Sequence, residues 1–113
     1  MAKDWRDILT TVGRNNTALA KAAPDAMKAF AGLAGAATAD GAIDKKTKEL
    51  MAVAISICIR CDGCIAYHAH SAIRAGATRE EMVETIALAV EMGGGPSTVY
   101  GADALQAYDQ LSS

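Results

Sequence analysis

Aromatic residues are scarce in this 113-residue sequence: one Trp, one Phe and three Tyr make 4% of the chain, against an apolar content of 51%. A core with so few rings is aliphatic and small-residue, and Ala and Gly suit helices packed at close range. A basic excess is lacking too. Eleven Lys and Arg face thirteen Asp and Glu, a net charge of −2, which argues against a nucleic-acid surface. The longest apolar run, the ten residues Leu50–Ile59, falls short of the roughly 20 needed to span a bilayer. The N-terminal MAKDWRD holds no apolar signal core, so the expectation is a cytoplasmic protein with no membrane partner. Repeats, linkers and low-complexity tails are missing, and the length suits a single domain, 1–113.

Strand-like alternation occurs in one place only, Val53, Ile55, Ile57 and Ile59. A strand there, followed by a Cys pair and a helix, would be a thioredoxin-type redox motif. No second strand-like run exists to pair with it, and no aromatic or Pro flanks the Cys pair. The same segment opens with the helix formers Lys45, Lys46, Lys48, Glu49, Leu50 and Met51 and is apolar nearly all round from Leu50 to Ile59. It therefore reads as a buried helix over 44–60, with Asp44 as N-cap and Cys58 as packing.

The remaining elements are also helical. Trp5, Ile8, Leu9 and Val12 follow i, i+3, i+4, i+7 after Asp4 as a possible N-cap. Gly13 is expected to end that helix, and Asn15-Asn16-Thr17 reads as a turn. Pro24 opens a second helix, whose stripe Met27, Phe30, Ala31 and Ala34 is expected in the core. Asp40-Gly41 marks a turn; the acidic spacing onward to Asp44 and Glu49 does not fit a calcium loop. Thr78-Arg79-Glu80-Glu81 has the capping-box pattern, followed by the apolar face Met82, Val83, Ile86, Ala89 and Val90. Gly93-Gly94-Gly95-Pro96 lacks the Lys and preceding strand of a phosphate loop and reads as a turn into a last helix striped by Tyr100, Ala104, Tyr108 and Leu111. The expected fold is all-α, with about six helices.

The chemistry is concentrated between Glu49 and Gly76, which holds all three Cys and both His. With Cys61–Ala75 as a helix, Cys61, Cys64 and His68 fall within about 60° of one another on one face. Side chains three and four apart are neighbours, which suits a Cys61–Cys64 disulfide and brings the His68 imidazole within reach of the Cys64 sulfur. Free N–H groups at the helix start favour a thiolate there. Gly63 permits close approach of backbone or substrate. The series Cys58, Cys61, Cys64 and His68 also has zinc-like spacing, but on one continuous helix it would spread over about 15 Å, too far for one tetrahedral ion. His70 points away from His68, toward a surface or an interface.

Glu49-x11-Cys61-x2-Cys64-x3-His68, with Gly76 eight residues beyond the His, resembles the alkylhydroperoxidase D-like, or carboxymuconolactone decarboxylase, superfamily. The resemblance runs from about Lys45 to Tyr108. It implies the alkylhydroperoxidase D-like helical fold and assembly as a trimer or hexamer; no cofactor or metal is expected. The Cys pair, which the decarboxylases proper lack, implies a thiol-dependent peroxidase. Cys64 would be the peroxidatic nucleophile, Cys61 the resolving cysteine, and His68 with Glu49 the proton relay. The partners implied are a hydroperoxide and a dithiol or redox-protein reductant. The best-known members carry a further His where this chain has Gly63, so a disulfide oxidoreductase using only these four residues is the nearest alternative. A lactone decarboxylase and a non-catalytic binding subunit stand behind it.

Overall fold

The computed structural model describes residues 3–113; Met1 and Ala2, part of the single-domain and signal-segment expectations, lie outside the described residues. Six helices follow in order: α1 Trp5–Ala22, α2 Pro24–Thr38, α3 Lys45–Cys58, α4 Asp62–Arg74, α5 Arg79–Gly93 and α6 Gly95–Leu111. Strands are absent among the described residues. The fold is all-α, as the sequence indicates.

Helices α3 to α6 form the packed body. α3 lies on α4, α5 and α6, while α6 packs on α4 and α5. The core is aliphatic and small-residue: Val53 and Ile57 from α3, Ile65, Ala66, Ala69 and Ala72 from α4, Met82 and Ala89 from α5, Ala104 and Ala107 from α6. Small residues set the spacing. A Cβ on Gly101 would come within 2.8 Å of the Ile86 side chain, so α5 and α6 approach over a bare backbone. The two buried rings carry polar tips with partners. Trp5 Nε1–H donates to Gln106 Oε1 at 3.0 Å, and the Tyr108 hydroxyl donates to the Ala77 carbonyl at 2.9 Å.

Helix starts agree with the sequence. Asp4, Asp44 and Thr78 each accept a backbone N–H three residues on, and Thr78 with Glu81 completes the capping box. Pro24 is the first residue of α2. The ion pairs Lys46–Glu81 and Arg79–Asp109, both 2.8 Å, tie α3 to α5 and α5 to α6. Their hydrogen bonds hold the Glu81 and Asp109 carboxyls below the usual carboxylate range.

Four expectations need correction. First, α1 does not stop at Gly13 but continues through Asn15-Asn16-Thr17 to Ala22. The Thr17 hydroxyl bonds back to the Gly13 carbonyl within the helix. The stop comes from Pro24, which forces Ala23 out of the helical region (φ −133°, ψ 67°). Second, α2 has no buried residue. Met27 is half-buried and Phe30 is 61% exposed, because α2 packs only on α1 and α3. Third, α3 is not buried all round. Glu49, Val53, Ser56 and Ile57 face inward, whereas Met51, Ile55 and Ile59, four residues apart, form an exposed stripe. Fourth, Cys58 and Val83 lie at the surface. The Cys58 sulfur sits 3.7 Å from the Ala89 carbonyl, at the edge of the α3–α5 contact.

Candidate functional site

The site begins where α3 ends. The Arg60 N–H donates to the Ile57 carbonyl at 3.2 Å and the Cys61 N–H to the Ser56 carbonyl at 3.1 Å. Arg60 adopts φ 59°, the left-handed conformation that closes such a terminus. Gly76 fills the equivalent place after α4 with φ 95°; an Arg there costs about 1 kcal/mol more. This turn folds α4 back along α3 and delivers Cys61 as the N-cap of α4.

Cys61 and Cys64 are joined in a disulfide, their Cα atoms 5.2 Å apart. The Cys64 N–H donates to the Cys61 sulfur at 3.2 Å, so the capping acceptor of this helix is a sulfur. One turn further along, His68 Nδ1 lies 2.8 Å from Glu49 Oε1. Glu49 is 2% exposed, and its other oxygen is 3.3 Å from Lys45 Nζ. A buried carboxylate needs such partners. With Nδ1–H donating to Glu49, Nε2 of a neutral His68 is the lone-pair nitrogen. The Tyr67 ring stands edge-on to the imidazole, centroids 5.1 Å apart.

Both halves open on one cavity of about 390 Å³. Cys61, Gly63, Cys64, Tyr67 and His68 form one side. Val12 and Asn16 of α1, with Phe30 and Ala34 of α2, form the other. The helix that enters the space left by Gly63 is α1: a Cβ on Gly63 would sit 3.0 Å from the Val12 side chain. A larger depression of about 600 Å³ lies along Arg79, Glu80, Val83 and Glu84 of α5. It is open and holds neither a Cys nor a His, so the smaller cavity is the one with chemistry. Beside the cysteines, Asp62 pairs with Lys3 at 2.9 Å.

The four residues singled out by sequence are therefore in one place. Cys61 adjoins Cys64 by the disulfide, His68 adjoins Glu49 by a hydrogen bond, and both cysteines share the cavity with His68. His70 is half-buried on the same helix and takes no part. Sequence reasoning missed Val12, Asn16, Phe30 and Ala34, which it had assigned to core or turn, and Lys3. No local signal marks them, since they meet the site only through tertiary packing. Among the described residues, no three His, Cys, Asp or Glu side chains converge to hold a metal ion.

An all-helical chain with a cysteine pair capping one helix and a buried carboxylate on the imidazole of that same helix defines the class of protein. The chain belongs to the carboxymuconolactone decarboxylase family, whose model matches residues 24–107. It is similar to an apo carboxymuconolactone decarboxylase family protein from Legionella pneumophila, with 44% identity, a TM-score of 0.94, and coverage of 96% of this chain and 97% of that one. A family protein from Thermotoga maritima, for which a part in an antioxidative response has been suggested, is 35% identical with a TM-score of 0.70, over 75% and 73% of the two chains. An uncharacterized protein of Cupriavidus necator is 42% identical over the full length of both chains.

Proposed function

We propose that this protein is a thiol-dependent peroxidase that reduces small organic hydroperoxides through the Cys61–Cys64 pair. The observation that carries the reading is the shared cavity: a disulfide-forming pair at a helix start and a His68 held by buried Glu49, facing apolar walls. In the reduced state Nε2 of His68 takes the Cys64 proton, and the thiolate so formed attacks the terminal oxygen of ROOH. The O–O bond breaks, Cys64 becomes a sulfenic acid, and the alkoxide leaves with a proton from His68, giving ROH. Cys61 then attacks the Cys64 sulfur, water departs, and the disulfide seen in the structure forms. Glu49 orients the imidazole, and the Cys61 proton leaves with the sulfenic hydroxyl as water, so His68 ends the cycle neutral. An external dithiol, small or carried by a redox protein in a reducing cytoplasm, restores both thiols by exchange. Val12, Phe30 and Ala34 receive the organic group, and Asn16 is the one polar residue that α1 and α2 add to the cavity lining.

One feature favours a second reading. The Cys64 N–H points at the Cys61 sulfur, which stabilises a thiolate on Cys61 and suits a thiol–disulfide oxidoreductase with Cys61 as the attacking atom.

The experiment is hydroperoxide-driven thiol loss in wild type, Cys64→Ser and Cys61→Ser, followed by peptide mapping. Peroxidase chemistry gives rapid loss of two thiols in wild type, none in Cys64→Ser, and a sulfenic acid that overoxidises in Cys61→Ser. If peroxide leaves the thiols intact while a disulfide substrate becomes trapped on Cys61 in Cys64→Ser, the oxidoreductase reading replaces it. Slow turnover retained without either cysteine sinks both.

We further propose that the protein acts as a homo-oligomer, a trimer or hexamer. Its support is the uncovered apolar surface, with Met51, Ile55 and Ile59 on α3 and Leu88 and Met92 on the adjoining α5 each 47% or more exposed.

A further inference from the structure

Asp62 stands between the two cysteines, on the first residue of α4. Its negative charge opposes formation of a thiolate on either side of it. The same position holds a cation from far away in sequence. Lys3 Nζ lies 2.9 Å from Asp62 Oδ2 and 2.8 Å from Asp103 Oδ2 on α6. The ammonium is also 5.6 and 5.7 Å from the Trp5 and Tyr100 ring centroids, a range for cation–π attraction. The backbone around it is anchored. Gln110 donates to the Lys3 carbonyl at 3.2 Å and accepts from the Trp5 N–H at 2.7 Å.

We propose that Lys3 is a positioning residue of the dithiol site: by holding and neutralising the Asp62 carboxylate, it sets how readily the reduced Cys61–Cys64 pair carries a thiolate. The inference rests on the redox reading of that pair but not on peroxide being its oxidant.

The charges around the pair make Lys3 the cation aimed at this carboxylate. On α4 they are Asp62 and His68; on α3 Glu49, which is engaged by His68 and Lys45; on α6 Asp103, engaged by Lys3; in the preceding turn Arg60. The cavity walls from α1 and α2 are uncharged. The hydrogen bonds to Asp103 and Asp62 raise the Lys3 pKa, so it stays charged throughout the range in which thiols titrate. Without Lys3, the Asp62 carboxylate is left between the cysteines with no ammonium on it.

The test is the pH profile of iodoacetamide alkylation of dithiothreitol-reduced full-length protein, read at each cysteine by mass spectrometry. Lys3→Met is expected to move the profile midpoint up by about half a pH unit, and to slow alkylation at pH 7 about threefold, the size exerted by one partly solvated charge beside the turn. Asp62→Asn is expected to move it down. The double variant Lys3→Met/Asp62→Asn is expected to fall between the two single variants, near the wild-type profile, because it removes one charge of each sign. Lys3→Arg retains the wild-type profile. A Lys3→Met variant that loses thermal stability with an unmoved profile overturns the proposal and leaves Lys3 as a tie between helices. An unmoved profile in Asp62→Asn overturns it independently, even if Lys3→Met fails to fold. A wild-type pair that neither alkylates nor oxidises overturns the redox reading and this inference together.

Discussion

The Glu49–His68 contact is where a single side chain decides most. A carboxylate 2% exposed and 2.8 Å from Nδ1 orients the ring and selects the nitrogen that faces the cavity. Glu49→Gln keeps the volume and removes the charge. If the pair is the proton relay, this variant is expected to slow hydroperoxide turnover on the order of 10²-fold, with disulfide formation by a chemical oxidant unchanged. Stopped-flow measurement of both reactions checks it; equal slowing of the two would mean a folding defect and not a lost relay. At this scale much of the site was legible. Cys61, Cys64 and His68 lie on one face because three- and four-residue spacing on a helix is local arithmetic. Glu49 is nineteen residues from His68; its place before the apolar run and the motif spacing pointed to it, but the contact needs α3 and α4 folded back on each other.

At the scale of elements, the decisive contact is between α1 and the start of α4. Val12 meets the bare backbone of Gly63, with a hypothetical Cβ only 3.0 Å away. Val is stiff at χ1, so the contact has little slack. Gly63→Ala is expected to destabilise the protein by about 1 kcal/mol, and Val12→Ala in the same chain to relieve that cost. Thermal or denaturant unfolding of the single and double variants reads this out; additive effects would show that α1 does not press on the cysteine turn. The contact also explains how a chain with Gly between its cysteines uses the space, which α1 fills. Element starts were legible through Asp4, Asp44, Thr78 and Pro24, because caps act within one turn. The length of α1 was not. Gly13 and the Asn pair are weak stops by propensity, and neighbouring turns carried the helix across them until Pro24 imposed a steric one.

For the whole molecule, the uncovered stripe on α3 and the thinly packed α2 are the features a monomer leaves unexplained. Phe30, Leu33, Ile55, Ile59, Leu88 and Met92 are all 59% or more exposed, which leaves large apolar side chains uncovered on α2, α3 and α5. Size-exclusion chromatography with light scattering is expected to show a trimer or hexamer. Replacing Ile55 and Ile59 by Glu is expected to shift it toward the monomer, since burying two unpaired carboxylates in an interface is costly. A wild-type monomer at micromolar concentration would sink the assembly proposal.

By itself the sequence determined the helical class, most helix starts, and the turn of α4 that carries Cys61, Cys64 and His68. These follow from spacing, capping and steric rules that act over a few residues. Only the tertiary structure decided which apolar residues were core and which were surface, because α2 and α3 offer more apolar area than this body covers. It also decided what surrounds the cysteines. Val12, Asn16 and Phe30 reach the cavity, and Lys3 reaches Asp62, across separations that no local pattern encodes: they meet because α1 lies on α4 and α6, held there by Trp5 and its two glutamine partners, and α2 packs on α1.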